Sequence, residues 1–181
     1  MKTESTAGFF LRLTATLLII TSAVAVALAG VNMITAPVID AQNAKKTQDA
    51  IELVLPGGGE AVAFPATDLV SKVYASETGY AVEVTPGGFD NTITMMVGID
   101  KAGKVLGISI ISHTETAGLG AVAAAGTPSG EAFRDQFVGA SGSVAVTKDA
   151  GQIDAITGAT ITSRAVCDGV NAALECAAKM G

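Results

Sequence analysis

Residues 91–112 read NTITMMVGIDKAGKVLGISIIS, and this stretch decides the fold. Two runs rich in Ile, Val, Met and Thr flank Asp100-Lys101-Ala102-Gly103, a turn whose glycine tolerates positive φ. Such a pattern reads as a β-hairpin, and a hairpin makes its two strands antiparallel.

The same signature recurs upstream in SKVYAS (71–76) and GYAVEVTPGG (79–88), so the hairpin belongs to a larger antiparallel sheet. Downstream, TPSGEAFRDQFVG (127–139) reads as a short helix, with Thr127 or Ser129 as its cap and Phe133 and Phe137 one turn apart on the buried side. SVAVTK (143–148) reads as a further strand, and Ser163 to Lys179 as a closing helix with Val166, Val170, Leu174 and Ala177 on one face. AVAAAG (121–126) is low in complexity and reads as a flexible or partner-facing loop. The fold class expected is α+β, a curved antiparallel sheet with flanking helices.

The amino-terminal side is of a different kind. From Leu13 to Ile39 there is no charged residue, and Leu13 to Ile34 supplies the roughly 20 apolar residues that a membrane-crossing helix needs. A cleaved signal peptide is the rival, favoured by the small residues of AVALAG but not by a run longer than the usual apolar region of about 7–15 residues. Pro37 is expected to end the span, since its ring cannot continue a helix. DAQNAKKTQDAIELVLPGGGE (40–60) then reads as a juxtamembrane helix stopped by Pro56-Gly57-Gly58-Gly59. Lys2 and Arg12 before the span, against Glu4, favour an amino terminus in the cytoplasm, although Lys45 and Lys46 after it make the count close. The expected division is a cytoplasmic 1–12, a transmembrane helix 13–36, a juxtamembrane helix and linker 37–60, and an extracytoplasmic domain 61–181.

Charge excludes one class of partner. The net charge is −6 and the cations are scattered, so no basic stripe exists to neutralise a nucleic-acid backbone. Cys167 and Cys176 lie nine residues apart on one helix and point to opposite faces, which rules out a disulfide between them and gives no metal-ligand spacing. They read as small core residues. His113, the single histidine, reads as hydrogen-bonded structure or as a proton relay. The apolar span carries no charge, so an ion pathway is not expected in this chain.

The junction DAITGATITSRAV (154–166) is the chemical feature. Thr157, Thr160 and Thr162 surround Gly158 and Ala159 just before a helix, where backbone N–H groups and the helix dipole favour an anion. Plain helix capping by the hydroxyls is the alternative reading. The spacing is not that of a P-loop, and no lysine follows the glycine.

Asp154-Ala155-Ile156-Thr157-Gly158-Ala159-Thr160 resembles the flavinylation motif Asp-x-x-(Ser/Thr)-Gly-Ala-Thr of FMN-binding proteins, with the Thr162-Ser163 pair that often follows it. The resemblance implies FMN joined to Thr160 through a phosphodiester, placed by a separate flavin transferase that uses FAD and a divalent metal. Asp154 and Thr157 would serve recognition by the transferase or hold the phosphate, while Gly158 and Ala159 let the phosphate approach the backbone. HTETAGLG (113–120) is similar to the family element His-x-Glu-Thr-Pro-Gly-Leu-Gly that lies against the flavin, with Ala117 in place of proline. Carried over, Thr116 and the backbone N–H groups of Gly118 to Gly120 would bond the ring, Leu119 would pack on its face, and Glu115 would orient the loop. Together with the anchor and the hairpin, the resemblance covers nearly the whole chain and is to the G subunits of the Rnf complexes, membrane ferredoxin:NAD oxidoreductases that couple electron flow to Na+ or H+ translocation. The related C subunits of the sodium-pumping NADH:quinone reductases are longer. The resemblance implies an electron carrier among other Rnf subunits in the inner membrane. Two other readings stand beside it: a stand-alone anchored FMN protein with an external acceptor, and a cofactor-free scaffold whose threonines only cap a helix.

Overall fold

The structure, a computed structural model, describes residues 6–65 and 67–180. Lys2 and Glu4, which enter the orientation argument, lie outside the described residues. The chain divides into two units, one up to Lys45 and one from Lys46 onward.

The first unit is helical. Helix α1 spans Thr6–Val54, and its apolar part is long enough to cross a membrane, with its large hydrophobic side chains exposed. The hydroxyls of Thr16, Thr21 and Thr35 donate to carbonyls one turn earlier, at Arg12, Leu17 and Val31, so they leave no unpaired donor on an apolar surface. Pro37 lies inside α1 rather than ending it. Proline removes one N–H and crowds one carbonyl, and a long apolar helix absorbs that local loss where its neighbours keep their own bonds.

The second unit is built on a five-stranded antiparallel meander, β1 (Glu60–Val62), β2 (Val70–Ala75), β3 (Gly79–Val84), β4 (Thr94–Asp100) and β5 (Val105–Ser112), ordered as in the sequence. The β4–β5 turn is the hairpin expected from Asp100–Gly103. Gly103 adopts φ +77°, and the Asp100 carboxylate accepts from the N–H groups of Ala102 and Lys104 at 2.9 and 2.8 Å. β1 carries only three residues with little burial, too short for a period-two signal to show in the sequence.

One face of the sheet is covered by α3 (Thr160–Met180), whose Val166, Val170, Leu174 and Ala177 are buried as expected against Val82, Val84, Met95 and Val97. Cys167 and Cys176 are both buried and free, because α3 is enclosed on most of its circumference. On the other face, the last turns of α1 pack Ala50, Ile51 and Val54, with Leu55, against Ala81 and Met96. Helix α2 (Pro128–Asp135) has Thr127 as its N-cap, accepting from the Gly130 N–H, and Phe133 and Phe137 meet edge to face with ring centroids 5.5 Å apart.

Two expectations are corrected. Residues 143–148 are not a strand: Val144 and Val146 are buried, but the backbone of Val144 is paired at both N–H and C=O by the side-chain amide of Asn171, and Val146 makes a single bridge to Ile153. A side chain here satisfies groups that a neighbouring strand would otherwise take. AVAAAG is an ordered 3₁₀ turn over Gly120–Ala124 with Ala123 buried, rather than a loose loop. The Arg134 guanidinium ties it to α2 by donating to the carbonyls of Ala123 and Ala125 at 2.7 and 3.0 Å.

Candidate functional site

Helix α3 starts at Thr160, three residues before the expected Ser163, so the motif threonine is the first residue of the helix. The turn before it is fixed from within. Gly158 takes φ +78°, and the Ala159 N–H bonds the Ile156 carbonyl at 2.9 Å. The buried Ser163 hydroxyl accepts from the Ile156 N–H at 3.0 Å and donates to the Ala159 carbonyl at 2.9 Å. A serine one turn into the helix thus clamps the Gly-Ala turn onto it.

None of the three threonine hydroxyls caps this helix. Thr157 is exposed and its hydroxyl has no partner among the described residues; Thr160 accepts from the Lys148 ammonium at 2.9 Å; Thr162 is buried and donates to the Glu115 carboxylate. The N–H groups of Thr160, Ile161 and Thr162 have no hydrogen-bond partner among the described residues. Three neutral donors at the positive end of a 21-residue helix are therefore left for an anion.

These residues line a cavity of about 290 Å³ together with Phe89, Glu115, Thr116, Leu119, Gly120, Lys148, Gly158 and Ala159. HTETAGLG, directly after β5, supplies one wall and the α3 entrance another, so the two motifs meet in space. Phe89, Leu119 and Ile161 are exposed apolar side chains on that lining. The cavity thus offers apolar walls beside a small set of polar groups, the character of a small-molecule site.

Glu115 joins the walls. It is 8% exposed, and one oxygen accepts from the Phe89 and Asp90 N–H groups at 2.8 and 3.3 Å, while the other accepts from Thr162. The carboxylate therefore ties the β3–β4 connection, its own loop and α3 together. A Cβ on Gly88 or on Gly120 would collide with one or the other of its oxygens, which explains glycine at both places. In the loop after it, the Thr116 carbonyl accepts from the Leu119 and Ala121 N–H groups, both at 3.2 Å, and Gly118 takes φ +76°. These bonds close the loop with alanine at 117.

The structure separates Asp154 and Thr157 from this cavity. Both line a neighbouring cleft with Gly118, Ser129 and Gln136, and the Gln136 amide holds the Asp154 backbone at N–H (2.7 Å) and C=O (3.3 Å). His113 has a buried Nδ1 with no partner among the described residues, so the hydrogen-bonded histidine expected from sequence is not formed at that nitrogen. No cluster of three or more metal-ligating side chains occurs among the described residues.

Lys148 and Phe89 were missed in the sequence. Lys148 precedes Thr160 by twelve residues and reaches it from a 3₁₀ turn over Thr147–Asp149, a placement no local spacing announces. Its neighbour Asp149 receives both arms of Arg164 at 2.6 and 2.7 Å. That charge-assisted bond holds the Asp149 carboxyl below the usual carboxylate range and raises the Arg164 guanidinium.

Residues 88–175 match the family model described as the FMN-binding domain. The chain is 32% identical to the G subunit of a Na(+)-translocating ferredoxin:NAD(+) oxidoreductase complex from Acetobacterium woodii, over 88% of this chain and 87% of that protein. It is 34% identical to the G subunit of a proton-translocating ferredoxin:NAD(+) oxidoreductase complex from Clostridium ljungdahlii, over 82% and 80%. The G subunit of an ion-translocating oxidoreductase complex from Methanosarcina acetivorans is 38% identical over about half of each chain, 54% and 50%.

Proposed function

The chain belongs to the family of G subunits of ion-translocating ferredoxin:NAD oxidoreductase complexes, and on that premise we propose that it is an electron-carrying flavoprotein whose FMN is joined to Thr160. The observation that carries this reading is the uncapped start of α3: free amides and an attachable hydroxyl open into an apolar cavity. The residues present fit the group. Thr160, the amides of residues 160–162 and Lys148 suit its phosphate, and Phe89, Leu119 and Ile161 suit its ring. FMN, when bound, supplies reversible electron transfer at its isoalloxazine.

Attachment is a group transfer from FAD, performed by a separate transferase. Thr160 Oγ forms a bond to the flavin-side phosphorus, the pyrophosphate P–O bond breaks, AMP leaves with the bridging oxygen, and the hydroxyl proton passes to a base of the transferase. The chain's own part is to present Thr160 on a rigid helix end and to surround the ring once it is attached. Glu115 fixes the cavity walls, and Asp154 with Thr157, on the neighbouring cleft, offers a surface for the transferase.

Helix α1 anchors the protein in the cytoplasmic membrane, with the domain from residue 61 outside the cytoplasm and the other subunits of the complex as electron partners. A covalent tether suits that location, where a dissociating cofactor would be lost. Substitution Thr160→Val tests the attachment: coexpressed with a flavin transferase, the wild-type chain gives a fluorescent band in a denaturing gel and the variant gives none. A fluorescent variant band would refute Thr160 as the attachment residue.

A further inference from the structure

We infer that Lys148 holds the phosphate group joined to Thr160, and that residues 143–153 form a bracket built to deliver it there. The inference rests on Thr160 being the flavin attachment residue. A phosphodiester keeps one negative charge at neutral pH, and the free amides of α3 answer it only with partial charges. A lysine ammonium is a compact point charge suited to a phosphate oxygen. The Lys148 ammonium lies 2.9 Å from the oxygen that would bear the phosphorus.

That ammonium is available because its acidic neighbour is occupied. Asp149 is bound in two places by Arg164, one turn along α3 from Thr160, and Lys148 forms no ion pair among the described residues. The two cations beside Thr160 are thereby given different tasks. Arg164 secures the bracket to the helix, and Lys148 keeps its charge for the site.

The bracket itself is specified at every step. Asn171 on α3 pairs both backbone groups of Val144. The Ile153 N–H bonds the Ala145 carbonyl at 3.0 Å, and the Thr147 N–H bonds the Ile153 carbonyl at 2.8 Å. Ala150 is the one non-glycine residue with positive φ among the described residues, at +60°, and a Cβ on Gly151 would collide with the Ala145 backbone. A left-handed alanine is sterically disfavoured and persists where the surroundings over-determine it. What this strained turn accomplishes is to set Lys148 and Asp149 side by side at the start of α3.

The test uses the full-length chain in detergent with flavin transferase, FAD and Mg2+, and follows the initial rate of FMN mass gain for wild type, Lys148→Met and Lys148→Arg. Loss of a charge-assisted contact predicts labelling about tenfold slower or more in Lys148→Met, with the gap narrowing as salt is raised and Lys148→Arg restoring most of the rate. In chains labelled to completion, the phosphorus resonance of the phosphodiester differs between wild type and Lys148→Met. Equal labelling rates, or an unchanged phosphorus resonance, overturn the inference. Equal slowing by Met and Arg at every salt concentration also overturns it, because the lysine would then serve only the local fold. Absence of mass gain in the wild type overturns the attachment reading beneath it, and the inference with it.

Discussion

Thr160 and Thr162 stand two residues apart in the same motif, but their hydroxyls have different surroundings, so with FMN proposed on Thr160 the variants Thr162→Val and Thr160→Val should separate cleanly. Thr162 is 1% exposed, and its hydroxyl donates to a buried carboxylate. Valine keeps the shape and removes the donor, leaving Glu115 with the N–H groups of Phe89 and Asp90 alone. A hydrogen bond to a charged group is worth about 1.5–3 kcal/mol, so Thr162→Val should lower stability by about that much. With about 2–4 °C of melting temperature per kcal/mol for a domain of this size, the shift is about 3–12 °C downward. Thr160 is half-buried and bonded only to an exposed lysine, so Thr160→Val should leave the melting temperature nearly unchanged while eliminating the flavin. The assay is thermal unfolding of the unlabelled full-length chains by circular dichroism in detergent. Equal melting temperatures for wild type and Thr162→Val would refute the role given to the Glu115–Thr162 contact, and a large loss in Thr160→Val would make that residue structural.

Further outcomes follow from the buried helix and the sheet. Burial, then the charges of Asp168 and Asp149, pushes the Cys167 thiol up to about 12 from an ordinary 9.0, and burial raises Cys176 as well. The folded state therefore holds protons that the unfolded chain releases: stability is fully present below pH 9.0 and declines as pH rises from there toward 12. Urea midpoints measured at pH 8 and at about pH 10.5 should show that decline, and a thiol reagent at pH 8 should label the cysteines only after unfolding. A Cβ on Gly98 would collide with the Val54 carbonyl, where the end of α1 crosses β4. Gly98→Ala should therefore cost about 1–3 kcal/mol, read as a lower urea midpoint of the full-length chain, and an unchanged midpoint would contradict that docking.

What the sequence disclosed was whatever is encoded over short distances. The Asp100–Gly103 hairpin, the Thr127 cap with its Phe133–Phe137 pair and the buried face of α3 each rest on residues a few positions apart, where period and turn chemistry speak directly. Residues 143–148 misled because Val144-Ala145-Val146 has the alternation of a strand, while its pairing partner is the Asn171 side chain, 27 positions away. Pro37 misled because its local cost is carried by a helix far longer than the break it makes.

The site was legible in its motifs and not in its assembly. The Asp154–Thr160 and His113–Gly120 segments carried the resemblance to flavin-bearing proteins, and the structure brings Gly158–Thr162 against Glu115, Thr116, Leu119 and Gly120 around one cavity, with Gly118 on the neighbouring cleft. It also sends Asp154 and Thr157 to the neighbouring cleft and brings Lys148 to Thr160. Those placements depend on the Gln136 clamp and on the bracket at 143–153, both of which are tertiary.

The most direct measurement is mass spectrometry of the tryptic peptide Asp149–Arg164 from the chain coexpressed with a flavin transferase. FMN attachment at Thr160 gives a gain equal to FMN less one water, with fragmentation placing it on that residue. An unmodified peptide, or the same gain on Thr157 or Thr162, would contradict it.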